Sequence, residues 1–315
     1  MSSARTRWIL GAAVLASAPF AVRFLLQFPW EHTIDAIADA DWLLLTAAAV
    51  VNLSSLVAKG WAWHLLLDPA APHRWRSAQR ATFVGAAVNA VSISVSGEAA
   101  RLQTLTKADG VPIGPALASL VWSRIVEAMA LVVVLGLALL VLPPLPVTRG
   151  LEFVVWGALL FGAGAWRLGA WGRLLALLPP AWRERIKIPS AVAGRGHLAG
   201  PLALSALNWV AQWLTYHWVI VATHVSTSPA VSGTALLAAN VGGILRVTPG
   251  NVGVIQASLV VGMLAFGIPS DQALAAGLVL QAIQTLPVVG IGIGLAGVEG
   301  FRRMFTKRAG AVGAA

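Results

Sequence analysis

The sequence predicts an all-α membrane protein, with six transmembrane helices and two re-entrant helical hairpins arranged as an inverted-topology repeat. Three observations carry that expectation. Of the 315 residues, 58% are hydrophobic and only 11% charged, against about 25% charged in an ordinary soluble domain. Six apolar stretches reach or approach the roughly 20 residues that cross a bilayer. Two further apolar regions are each interrupted near their middle by Ser, Gly or Pro.

The mean hydropathy of +0.79 excludes a disordered chain. Cysteine is absent, which removes disulfides, thiolate metal sites and a Cys nucleophile together. A net charge of +10 would suggest nucleic acid in a soluble protein. Here the placement of the charges gives another reason for it, and no nucleic-acid partner is expected.

In chain order, spans are expected at 8–28, 42–67, 114–141, 152–168, 200–223 and 272–297. Before the first stand Arg5 and Arg7, and within it Ala16-Ser17-Ala18 has the small-x-small form of a leader cleavage site. Pro19 directly follows, so this span is expected to be kept. The region 81–108 is broken at Ser94-Val95-Ser96-Gly97, and 232–266 at Thr248-Pro249-Gly250-Asn251. Each piece is about 11–15 residues, roughly 16–22 Å as helix, and falls short of about 30 Å of hydrocarbon.

Basic residues decide how these pieces thread. With the N-terminus inside and both broken regions leaving by the face they entered, most of the 22 Lys and Arg fall on one side. The other side receives Glu31, Asp35, Asp39, Asp41, Glu152 and Asp271, as the positive-inside rule requires. A full crossing by 81–96 would push Arg167, Arg173, Arg183, Arg185, Lys187 and Arg195 outside. The expectation is therefore a multi-pass protein of the cell membrane with both termini cytoplasmic. Trp61, Trp63 and Trp75 fit an inner interfacial belt, while Trp209 and Trp213 read as apolar filler.

The order span, span, re-entrant, span occurs twice with opposite sense: a first repeat at 1–141 and a second at 150–300. They form one integral membrane domain, 1–315, ending in a basic cytoplasmic tail, 301–315. Interrupted helices of inverted repeats meet near the midplane and build the binding site. Two helices merely kinked by Pro and Gly are the plainer alternative. The break residues are Ser96, Gly97, Pro249, Gly250, Asn251 and Gly253.

Ionisable residues at bilayer depth cost about 2.5–3.5 kcal/mol each and mark function. Here they are Glu98, Arg101, Arg124, Glu127 and Arg246, with Lys59 as a further cation. Glu98/Arg101 and Arg124/Glu127 are i,i+3 pairs, each sharing a helix face. The surplus is cationic, and half-helix N-termini near Gly97 and Asn251 add donors. An anionic headgroup, phosphate above all, would complete such a pocket, because Arg holds phosphate through two hydrogen bonds. A salt-bridge clamp between helices and a proton path through Glu98 and Glu127 remain as other readings of the same residues.

Other motifs fail on context. Gly292-x-Gly294-x-x-Gly297 fits a dinucleotide fingerprint but lies within the last span without a preceding strand. Gly290 and Gly294 are expected to serve close helix packing instead. Asn52-Leu53-Ser54 has the form of a glycosylation acceptor but sits inside a span. No two of His32, His64, His73, His197, His217 and His224 have metal-ligand spacing, so no metal and no cofactor are expected. Asp39 and Asp41 are consistent with an acidic outer loop. They leave open a small membrane glycosyltransferase that uses a lipid-phosphate sugar donor.

Gly97-Glu98-x-x-Arg101, Arg124-x-x-Glu127 and Pro249-Gly250-Asn251-Val252-Gly253 resemble, in order and spacing, the motifs of the lysylphosphatidylglycerol synthase transmembrane, or flippase-like, family. That family includes the membrane half of the bacterial multiple peptide resistance factor. The resemblance implies that these residues take over the family's motif positions. Gln256 stands where the family usually has Glu, and Gln281 where its last span often has Arg. It also implies a non-enzymatic translocase for an anionic phospholipid or a polyprenyl-phosphate-linked lipid. In that reading Arg101, Arg124 and Arg246 hold the phosphate, and Glu98 and Glu127 orient them. A non-transporting scaffold for cell-envelope enzymes is the remaining alternative. The expected partners are membrane lipids, with a second copy or an envelope enzyme left open.

Overall fold

Asp41 starts the first long helix. Its Oδ1 accepts the backbone N–H of Leu43 at 2.9 Å and of Leu44 at 3.1 Å, satisfying donors that a helix start leaves open. The computed structural model describes residues 30–92, 96–141, 157, 198–244, 248–297 and 300. Among the described residues there is helix and no strand. In order they form α1 (Trp30–Ala38), α2 (Trp42–Leu67), α3 (Trp75–Val91), α4 (Ser96–Asp109) and α5 (Ile113–Val141). Then come α6 (Ala199–Ala222), α7 (Pro229–Gly243), a short 3-10 turn (Pro249–Asn251), α8 (Val254–Leu264) and α9 (Ser270–Ala296).

Among the described helices, α2, α5 and α9 are long and apolar enough to cross a membrane. They correspond to the expected spans 42–67, 114–141 and 272–297. Leu43, Val50, Leu117, Leu137, Leu286 and Leu295 are exposed along them, an outward apolar surface suited to lipid rather than water. The expected span 200–223 forms α6, 24 residues long. It is less apolar because Asn208, Gln212, Tyr216 and His217 interrupt it. The spans 8–28 and 152–168 lie outside the described residues, Gly157 excepted.

Each interrupted region forms two helices packed on one another, α3 on α4 and α7 on α8. They hold 17, 14, 15 and 11 residues. At about 1.5 Å per residue none reaches 30 Å. Both pairs start earlier than hydropathy alone suggests, at Trp75 rather than 81 and at Pro229 rather than 232. The first turns of α3 carry the exposed Arg76 and Arg80, which an apolar scan leaves out. Pro229 suits a first helical position, and Ser228 before it caps Val231 N–H at 3.4 Å. Residues 30–38, expected as plain outer loop, form α1. Behind it Asp41 N–H donates to the Ala222 carbonyl at 2.9 Å, and a His224 ring nitrogen meets the Asp39 carbonyl at 2.8 Å.

Small residues set the close crossings. A Cβ at Gly97 would run into the Gly85 carbonyl, and one at Gly85 would meet the Gly97 carbonyl, so α3 and α4 touch backbone to backbone. Helix α9 crosses α3 at Gly292, where an added Cβ would strike Ala87. Gly290 and Gly294, expected to make such a contact, have open space instead, because they face away from α3. Among the described residues two larger buried clusters result. One gathers Trp63, Leu67, Leu105 and Leu120 from α2, α4 and α5. The other gathers Leu45, Tyr216, Ile220, Leu259, Met263 and Leu280 from α2, α6, α8 and α9.

Candidate functional site

Elements of both clusters wall a cavity of about 290 Å³. Helix α2 contributes Asn52, Ser55 and Lys59, a one-sided i, i+3, i+7 stripe. Helix α3 adds Thr82, Gly85 and Asn89; α4 adds Gly97, Glu98 and Arg101; and α5 adds Arg124. The facing wall holds Asn208 and Gln212 of α6, Gly250 and Asn251 of the 3-10 turn, and Gln281, Gln284 and Thr285 of α9. Residues from the two sequence repeats thus meet in one place.

Charge distribution inside is unequal. Glu127 Oε2 accepts from Lys59 Nζ at 3.2 Å and from Arg124 Nη1 at 2.8 Å. Arg124 also pairs with Glu98 across the α4–α5 gap. Both acids are therefore engaged, by Lys59 and Arg124. The i,i+3 pair Arg124/Glu127 forms, whereas Glu98 reaches Arg124 rather than back to Arg101. The reason is visible in Arg101, whose guanidinium carbon lies 3.9 Å from the Trp63 ring centroid. Stacked there, Arg101 is 3% exposed, and its Nε and Nη2 have no hydrogen-bond partner. A desolvated cation–π contact is worth about 2 kcal/mol. An uncompensated buried charge costs several, so Arg101 gains from any anion that enters.

Trp63 was expected in an interfacial belt but is fully buried. Its Nε1 donates to Ser119 Oγ at 3.0 Å, which fixes the ring under Arg101. Trp209 and Trp213, expected as filler, also donate. Trp209 Nε1 binds the Glu127 carbonyl at 2.8 Å and Trp213 Nε1 the Pro229 carbonyl at 3.0 Å.

The two breaks touch. Gly250 N–H donates to the Ser92 carbonyl at the end of α3, at 3.2 Å. Gly250 has φ +59, and an added Cβ would collide with the Ala90 carbonyl, so the turn is open to glycine alone. Gln281 Nε2 donates to the Gly250 carbonyl and to Thr285 Oγ1, both at 3.1 Å. Gln256 is off the cavity wall. Its Oε1 accepts Gly253 N–H at 2.7 Å and its Nε2 donates to the Gly277 carbonyl at 3.3 Å. The two glutamines therefore hold opposite ends of the Pro-Gly turn. Ser96 begins α4, and Asn251 Nδ2 donates to the Gly243 carbonyl at 3.2 Å. Arg246 lies outside the described residues.

Sequence reasoning missed Asn52, Asn208, Gln212 and Gln284 on the wall. The signal available was an amide inside an otherwise apolar helix, recurring after four residues at Asn208 and Gln212 and after three at Gln281 and Gln284. It also missed the approach of His64 and His73, whose ring nitrogens are 2.8 Å apart. Their spacing is not that of metal ligands on one helix, but the turn between α2 and α3 folds one onto the other. Asp41, one of the two residues of the glycosyltransferase alternative beside Asp39, uses its carboxylate as the cap of α2.

Buried, interrupted helices enclosing a cationic, amide-rich cavity, with long apolar helices around it, define a polytopic membrane protein with an internal polar site. Residues 8–292 match the family described as the lysylphosphatidylglycerol synthase TM region, and the chain belongs to that family. No curated protein matches it. Membership places the chain in contact with membrane lipids and its function among them.

Proposed function

We propose that the cavity takes the phosphate-bearing headgroup of an anionic lipid and passes that lipid between leaflets. The observation that carries this reading is Arg101: buried, on the cavity wall, and unpaired at Nε and Nη2 while both neighbouring acids are engaged elsewhere. Its free donors suit two phosphate oxygens. Asn52 Nδ2 and Gln281 Oε1, also on the wall, lack partners too and suit the neutral part of a headgroup. The lipid is an anionic phospholipid or a polyprenyl-phosphate-linked one. Arg124, held by Glu98 and Glu127, is the second contact.

The process is translocation, without a catalytic residue or a covalent step. The topology that suits it is six spans and two re-entrant hairpins in an inverted repeat, in the cell membrane with both termini cytoplasmic. The four short helices and the contact of Gly250 with Ser92 support that arrangement. The test is flux in vesicles containing the purified chain and a fluorescent phosphatidylglycerol, with accessibility to an impermeant quencher as the readout. The wild type should move this lipid, and Arg101→Gln should slow it at least about tenfold, the equivalent of one charge-assisted hydrogen bond. Equal rates for the two proteins, or no flux of the anionic probe, would refute translocation through this cavity.

A further inference from the structure

We propose a second site, separate from the cavity: a divalent transition-metal site built by His64, Asp68 and His73 where the chain turns from α2 into α3. Their ligand atoms lie within 4.8 Å of one another. His64 Nδ1 and His73 Nε2 face each other at 2.8 Å. The other ring nitrogen of His73, Nδ1, meets the Ala71 carbonyl at 2.9 Å. A carbonyl only accepts, so His73 Nδ1 carries the proton and Nε2 presents a lone pair. A histidine whose far N–H is held by a backbone carbonyl is the usual arrangement of a metal ligand.

The backbone places the third ligand. Asp68 caps α2, its N–H donating to the His64 carbonyl at 2.9 Å. It therefore sits one turn beyond His64 on the same face. Asp68 is exposed, and a carboxylate oxygen lies within 4.8 Å of the two ring nitrogens. Arg74, next in the chain after His73, is committed to Asp109 through contacts at 2.9 and 3.1 Å. Trp61 meets His64 edge-on at 5.6 Å and stacks on Trp75 at 5.2 Å, so an aromatic pair supports one flank.

Two imidazoles and one carboxylate suit zinc, cobalt or nickel rather than the all-oxygen cages of calcium and magnesium. Two nitrogens on a tetrahedral zinc, each about 2.05 Å from the metal, stand about 3.3 Å apart. To take the metal the two nitrogens part by about half an ångström from their present contact, and both rings swing so that their lone pairs converge beside the line that now joins them. His64 then moves its proton from Nδ1 to Nε2 through solvent, and no net proton is released. Bound there, the metal fastens the end of α2 to the start of α3, the base of the first interrupted pair.

The experiment is equilibrium dialysis of the full chain in detergent against micromolar Zn²⁺ with millimolar Mg²⁺ present, read by elemental analysis. The wild type should hold one zinc per chain. His73→Gln should weaken zinc more than about 100-fold, beyond what loss of an outer-shell partner does, and His64→Gln/His73→Gln should abolish it. Zinc should raise the melting temperature of the wild type and leave that of His73→Gln unchanged. Sub-stoichiometric zinc on the wild type, or equal zinc on the double variant, would overturn the site. Should the variants not fold, X-ray absorption of the zinc-loaded wild type decides. Two imidazole shells are expected, and a spectrum lacking them refutes the assignment.

Discussion

Removing Glu127 should disturb the protein more than removing the lysine it binds, and the geometry says by how much. Glu127→Gln keeps the shape but deletes the charge shared by Lys59 at 3.2 Å and Arg124 at 2.8 Å. Arg124 keeps Glu98 and has a side chain 44% exposed, so it loses little. Lys59, 20% exposed, is left without a carboxylate. Stranding one member of a buried pair costs about 3–5 kcal/mol. Lys59→Met is milder, at about 1–2 kcal/mol, because Glu127 still accepts from Arg124. Lys59→Met/Glu127→Leu should be less destabilised than Glu127→Gln alone, because no charge is then stranded. Equilibrium unfolding in mixed micelles, followed by tryptophan fluorescence, gives the three values. If Lys59→Met is as damaging as Glu127→Gln, the charge network described here is wrong.

Gly250→Ala combines a left-handed residue with a collision against the Ala90 carbonyl, whereas Gly110→Ala, at φ +68, meets open space. The second should cost about 1–2 kcal/mol and the first at least 1 kcal/mol more, read in the same unfolding assay. Burial pushes the Asp109 carboxyl up, but the Arg74 N–H, the Ser77 hydroxyl and the Arg74 guanidinium outweigh it and hold it below the usual aspartate range. Its contribution is therefore complete above the unfolded value of about 3.9 and fades as pH falls through the lower folded one. The gap in melting temperature between wild type and Asp109→Asn should be fully open at pH 6 and begin to narrow only as pH falls below about 4.

Hydropathy and charge placement made the helical membrane class legible, because a span is a long, uniform signal. The breaks were legible as well, since Ser94-Val95-Ser96-Gly97 and Pro249-Gly250-Asn251 contradict the runs around them. What escaped was whatever depends on how elements meet. Nothing local says that Arg101 stacks on Trp63, 38 positions earlier in the chain. The i,i+3 spacing puts Glu98 and Arg101 on one face, and both line the cavity, but it does not show that Glu98 pairs with Arg124 instead. Nor does spacing show that Gly292 rather than Gly290 meets α3, because three glycines on one helix differ only in which face the neighbour takes. His64 and His73 were invisible for the same reason: a turn, not a helical period, joins them.

Headgroup-resolved native mass spectrometry tests the unpaired arginine most directly. It would use wild type and Arg101→Gln purified from a membrane containing both anionic and zwitterionic lipids. A phosphate-bearing anionic lipid should stay on the wild type and fall at least about tenfold on the variant. Equal retention by both proteins, or retention of zwitterionic lipid only, would contradict an anion site at Arg101.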